Sequence, residues 1–217
     1  MILSSEREAR DWLVSRDDLP PGAYQRLLRL ETMLRAENAR QNLVSAASLD
    51  WLWLRHFADS AQLLDHVPRE TPPGPWLDLG SGAGFPGLVV ALLRPKLAVV
   101  LVESRAKRAA WLQRAAAELA LDNVTVAGAR LETAPFAAAS VISARAFAPL
   151  PRLIALSARF STPQTRWVLP KGRRGSQELR AMPKSIQTMF HVEQSITDAD
   201  SVILVGAGVP PQRTKAP

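Results

Sequence analysis

The chain has no cysteine and only three histidines among its 217 residues. Disulfides and thiolate catalysis are thereby excluded, and three scattered histidines do not supply the spaced ligand set of a zinc site. No apolar run approaches the roughly twenty residues that cross a bilayer. The N-terminus lacks a charged-then-apolar secretory pattern, and no basic amphipathic helix with an aromatic face offers itself to a membrane surface. The expectation is a cytoplasmic protein with no metal and no membrane partner. What is present is ordinary in bulk, 47% hydrophobic and 22% charged. It is biased in sign: 27 basic against 20 acidic residues give +7 and a pI near 10.7, which favours a polyanionic partner.

The most informative stretch runs from Trp76 to Glu103. It reads as a buried strand (Trp76 to Leu79), a glycine-rich turn, a helix opening near Pro86 and a second buried strand (Ala98 to Val102) closed by an acid. Gly80, Gly82 and Gly84 free the backbone for a ligand's close approach. Gly82, Gly84 and Gly87 also satisfy G-x-G-x-x-G, with Glu103 at the distance a dinucleotide site requires. Asp78 separates the two readings. A carboxylate at the mouth of the turn repels a pyrophosphate and attracts the cationic amino and sulfonium groups of S-adenosylmethionine. S-adenosylmethionine is therefore favoured, with Asp78, Gly82 and Glu103 as candidate cofactor contacts and a dinucleotide as the alternative.

Residues 1–70 read as a helical extension, with a capping box at Ser5 and Glu8 and an amphipathic helix from Ala23 carrying Tyr24, Leu27, Leu28, Met33 and Leu34. A third helical segment spans Ser48 to Val67, and Thr71-Pro72-Pro73-Gly74-Pro75 forms a linker. Residues 71–209 form the core. Further strands are expected at Asn123 to Ala127, Val141 to Ala144, Thr165 to Leu169, Thr188 to Ser195 and Ser201 to Val205, with helices at Arg105 to Ala120 and Pro149 to Ala158. The tail, residues 210–217, is expected to be disordered. The pattern predicts an α/β fold with a seven-stranded, mostly parallel sheet ending in an antiparallel hairpin.

Several pieces in order across residues 40–180 resemble the bacterial small-subunit ribosomal RNA guanine-N(7) methyltransferases, the RsmG or GidB family. They are Asn42-Leu43, Arg55-His56-Phe57-Ala58-Asp59-Ser60, Asp78 to Gly87, Glu103-Ser104 with Lys107, the Glu118-Leu119 to Asn123-Val124 segment, Arg130-x-Glu132, Ser143-Ala144-Arg145-Ala146 and Lys171-Gly172. The resemblance implies a class I, Rossmann-like methyltransferase. Its substrate would be one guanine in the decoding-region loop of 16S ribosomal RNA, position 527 in the usual rRNA numbering, free or within the small subunit. It implies Gly80, Phe85, Leu131, Glu132 and Arg145 as cofactor residues. Val44, Ser140 and Pro170 depart from the family pattern, and Ser140 either alters contacts near the cofactor pocket or simply sits at a strand start.

The chemistry accounts for one absence. Guanine N(7) has an in-plane lone pair and no hydrogen, so its methylation needs no general base and no catalytic residue in that sense. Rate enhancement would come from in-line alignment. Candidate RNA contacts are Arg55 and His56 in the extension and the basic run Lys171, Arg173, Arg174, Arg180 and Lys184. Trp51, Trp53 and Trp76 are candidates for base stacking or, more commonly for this residue type, for the core. The protein is expected to act as a monomer.

Overall fold

The computed structural model describes residues 2–68, 74–134, 136 and 138–211. The expected linker residues 71–73 and tail residues 212–217 lie outside them.

Helix α1 (Glu6–Val14) starts where Ser5 Oγ accepts the Glu8 N–H at 3.2 Å. The capping box is half formed, because the Glu8 carboxylate reaches back to Ser4 N at 2.7 Å instead of to Ser5. Helix α2 (Ala23–Asn38) buries a seam of Ala23, Leu27, Leu30, Leu34 and Glu37, the i+3/i+4 spacing of one helical face. The third expected helix is a broken run. It consists of α3 (Ala46–Leu49), a π turn (Trp53–Ala58), α4 (Asp59–Ala61) and a 3-10 segment (Gln62–His66). Glu6 of α1 caps this run from outside, its carboxylate accepting Trp53 N at 3.0 Å and Leu54 N at 2.8 Å.

The core alternates β1 (Trp76–Leu79), α5 (Gly87–Leu93), β2 (Val99–Val102), α6 (Ala106–Glu118), β3 (Val124–Ala127), β4 (Val141–Ser143), α7 (Leu150–Ser157) and β5 (Arg166–Lys171). Two short helices unforeseen in the sequence, α8 (Gly175–Arg180) and α9 (Lys184–Gln187), precede β6 (Phe190–Gln194) and β7 (Val202–Ala207). The seven strands lie in the order β3-β2-β1-β4-β5-β7-β6. β1 to β5 are parallel, and β7 runs antiparallel between β5 and β6, with Lys171 opposite Val202 and Phe190 opposite Gly206. The hairpin therefore inserts its last strand against the parallel sheet. The strands are short and almost wholly apolar because helices cover both faces. On one face, α1, α2 and the broken run share a continuous buried cluster with α5 and α6; on the other, α7, α8 and α9 pack with Phe160 and Trp167.

Ser140 lies immediately before β4, at the end of the strand away from the glycine turn, which is the strand-start alternative and not a contact with the cofactor pocket. Its hydroxyl donates to Gly74 O at 2.8 Å and is also 3.2 Å from Pro75 O, which ties the entry into β1 onto β4. An acid there would face two carbonyl oxygens. Pro170 is accommodated because β4 pairs only with Arg166–Val168, so β5 has outrun that neighbour where the proline falls.

Candidate active site

Parallel strands deliver their C-terminal ends to one edge of the sheet, where open α/β folds bind ligands. Two cavities open along that edge. The first, about 480 Å³, is lined by Gly80 after β1, Glu103 at the end of β2, Leu131 and Glu132 after β3, and Ala146 to Pro149 after β4. The second, about 840 Å³, is lined by Arg55, His56 and Asp59 of the extension, the same Ala146 to Pro149 ridge, Pro170 to Gly172 after β5, and the 195–203 hairpin. The ridge divides them.

The glycine turn meets the first cavity at Gly80. Gly80 and Gly82 sit at φ +67° and +57°, the left-handed region a side chain resists. Glu103 is 5% exposed and fixes the turn, one carboxylate oxygen accepting Gly82 N at 3.1 Å and the other accepting Arg105 N at 2.8 Å. Each oxygen keeps a further lone pair for a hydroxyl partner.

Asp78 departs from expectation. It is fully buried beneath the turn, not at its mouth, and both oxygens are engaged, with Gly87 N at 3.1 Å and Ser143 Oγ at 2.9 Å. Ser143 in turn accepts Trp76 Nε1–H at 2.8 Å. Burial raises the Asp78 carboxyl to about 6, against the lowering effect of these hydrogen bonds and of Arg145. The direct ligand contact read for Asp78 is therefore corrected: its role is to pin the start of α5 to the sheet. Gly87 is required there for space, since a Cβ would lie 2.9 Å from Asp78 Oδ2 and collide with Leu101.

Phe85 and Arg145 also fall elsewhere than the first cavity. Phe85 is 2% exposed and stacks on His56 at 4.9 Å and 16°. Arg145 lines the second cavity, its guanidinium 5.3 Å above the Phe85 ring. It donates to Arg55 O at 3.0 Å, Asp59 Oδ2 at 3.3 Å and His56 Nδ1 at 2.9 Å. Because an arginine only donates, His56 Nδ1 is the acceptor and its proton sits on Nε2. Burial, reinforced by Arg145 and Arg55, holds the imidazole down to about 3, so His56 is neutral at physiological pH.

Of the expected RNA contacts, Arg55, His56 and Lys171 line the second cavity, while Arg173 and Arg174 lie on the exposed turn before α8. The lining charges are paired: Arg55 with Asp198 at 3.7 Å, Arg145 with Asp59 at 3.3 Å and Lys171 with Glu178 at 3.0 Å. Arg173 pairs with Asp200 at 2.8 Å. Trp51 is exposed, whereas Trp53 and Trp76 are core. Four arginines around the first cavity, Arg105, Arg108, Arg130 and Arg152, have no ion-pair partner among the described residues. Sequence reading passed over Arg152, Phe147 and the 195–203 hairpin as site elements. Nothing local marks them, because the ridge and the hairpin meet the extension only through the fold.

A seven-stranded sheet of this order, with a glycine turn after β1 and an acid closing β2, defines a class I S-adenosylmethionine-dependent methyltransferase. Solved structures share the fold at low sequence identity. A mutant of MtNAS in complex with S-adenosylmethionine aligns with TM-score 0.55 at 18% identity over 95% of this chain and 84% of that one. A fibrillarin/Nop5p complex aligns with TM-score 0.55 at 15% identity over 73% and 84%. The family model for rRNA small subunit methyltransferase G, GidB, matches residues 23–203, and the chain belongs to that family. Proteins named ribosomal RNA small subunit methyltransferase G from Erythrobacter litoralis and Sphingopyxis alaskensis are 56% and 55% identical to it. The alignments cover 95% and 99% of this chain and 98% and 92% of theirs.

Proposed function

We propose that this enzyme methylates N(7) of one guanine in the decoding-region loop of 16S ribosomal RNA, with the cofactor in the first cavity and the target base in the second. The observation that carries the reading is the pair of cavities sharing one ridge at the C-terminal edge of the sheet. The first cavity suits S-adenosylmethionine: Gly80 lines it without a side chain, Glu103 offers acceptors for a ribose, and buried Leu131 offers an apolar side for an adenine. Bound there, the cofactor supplies an electrophilic methyl group.

The residues of this chain hold and align; none takes a proton. His56 has its basic nitrogen occupied by Arg145, and the carboxylates of Asp59, Glu178 and Asp198 each face a cation. That electrostatic setting matches attack by an N(7) lone pair, which releases no proton. Alignment of base and methyl across the ridge then accounts for the acceleration, an effect worth up to about 7 to 11 kcal/mol in well-oriented systems. The unpaired arginines Arg105, Arg130 and Arg152, together with Arg174, would engage phosphates flanking the target, and the enzyme acts as a monomer on free RNA or the small subunit.

The test is transfer of labelled methyl to small subunits and to their extracted RNA, both from cells lacking the enzyme. Label on a single N(7)-methylguanine in the decoding-region loop is the expected result. Label at another base, or none despite cofactor binding, would overturn it.

A further inference from the structure

The ridge between the cavities carries an aromatic side chain that is packed against the core along only part of its surface. Phe147 lines both cavities and, among the described residues, is the only phenylalanine, tyrosine or tryptophan lining either. The other five phenylalanines each pack against an aromatic ring: Phe57 and Phe85 on one another, Phe136 on Phe160, and Phe190 on Trp167. Phe147 has no such ring among the described residues and is half-buried. Its ring packs over Gly80, where any Cβ would collide with it. Ala146, immediately before it, is held at φ +51°, a conformation that costs a non-glycine residue energy and that tends to persist where the surroundings over-determine it.

We propose that Phe147 is the stacking platform for the target guanine, a role that rests on the function proposed above. In the transfer, the N(7) lone pair forms the new C–N bond as the methyl–sulfur bond breaks. The bonding pair stays on sulfur, which becomes a neutral thioether, and the positive charge moves onto the guanine ring. No proton leaves. An aromatic face against that ring aligns the base by stacking and, through its negative π face, favours the charged ring over the neutral one. The lining cations oppose a charged base less than their number suggests, because Asp59, Glu178 and Asp198 neutralise them. Phe147 thus acts on both the bound base and the transition state.

The experiment compares the full-length enzyme with Phe147→Leu and Phe147→Tyr. Three quantities are read: methyl-transfer kinetics on small-subunit RNA, affinity for S-adenosylhomocysteine, and the relative affinity for 7-methylguanosine and guanosine monophosphates in mildly acidic buffer, where the methylated ring is cationic. Stacking predicts that leucine lowers kcat/KM by roughly 5- to 150-fold, with part of the loss in kcat, and that tyrosine restores it to within about 3-fold. Because Phe147 also lines the first cavity, rates are compared with S-adenosylmethionine saturating for each variant, where the loss persists, and leucine abolishes a preference for the methylated nucleotide that is roughly 2- to 30-fold in the unmodified enzyme. Leucine matching the unmodified enzyme would overturn the proposal. So would tyrosine failing as leucine does, or a loss that follows cofactor affinity. If the unmodified enzyme methylates no ribosomal RNA, the functional reading fails, and the nucleotide preference still decides the stacking role by itself.

Discussion

Two buried titratable residues, Asp78 and His56, bias the stability of the fold in opposite directions with pH. The folded Asp78 carboxyl, raised from 3.8 to about 6, binds more protons than its unfolded counterpart between those values. Its contribution to stability therefore falls as pH rises through that window. His56, lowered from 6.5 to about 3, is neutral in the fold where the unfolded chain would charge it, so its contribution is lost as pH falls below 6.5. Between about pH 4 and 6 the two slopes, each about 1.4 kcal/mol per pH unit at most, oppose one another. Urea titrations across that range should show Asp78→Asn gaining stability with pH relative to the unmodified protein and His56→Gln losing it. Parallel profiles for all three would show that neither group is shifted as its burial requires.

At the scale of elements, the joint between α1 and the broken run decides whether the extension holds its shape. Trp53 and Leu54 donate to Glu6, 47 and 48 residues earlier in the chain, and Trp53 Nε1 donates to Glu31 at 2.8 Å. One carboxylate thus supplies acceptors that helix starts usually take from a residue next in sequence. The π turn beyond it presents the Arg55 carbonyl to Arg145, so the joint also bears on the wall of the second cavity. Glu6→Ala should cost about 1 to 3 kcal/mol in equilibrium unfolding, as a charge-assisted cap left unmade. Amide exchange at Trp53 and Leu54 should accelerate while β1 and β4 stay protected. Unchanged exchange at those two amides would rule the cap out.

Across the whole molecule, a net charge of +7 does not say where a polyanion lies. Ion pairing decides that, because a cation already matched to a carboxylate releases fewer counterions on binding. Arg173 faces Asp200 at 2.8 Å, whereas Arg105, Arg130 and Arg152 stand unpaired around the first cavity among the described residues. Arg152→Ala should therefore weaken binding of small-subunit RNA and lower the log–log salt slope by about 1, and Arg173→Ala should change the slope less. Fluorescence titrations at several salt concentrations measure both. The reverse order would place the RNA on the α8 turn.

The sequence by itself determined the α/β class, the seven strands, the glycine turn with Glu103, and the family, because periodicity, turn chemistry and closely spaced motifs are local. It placed most strand and helix limits within a few residues. It did not determine that β7 lies between β5 and β6, since strand order follows from packing among distant segments. Only the tertiary structure showed that Asp78 is a buried brace and not a ligand group, because burial depends on what covers a residue. For Arg145, which the family resemblance offered as a cofactor residue, only the fold supplied its neighbours Asp59 and His56, 86 and 89 residues away. Phe147 shows the limit most plainly. Its neighbours in sequence are alanines, and its place between two cavities exists only once β4, the extension and the hairpin have been brought together.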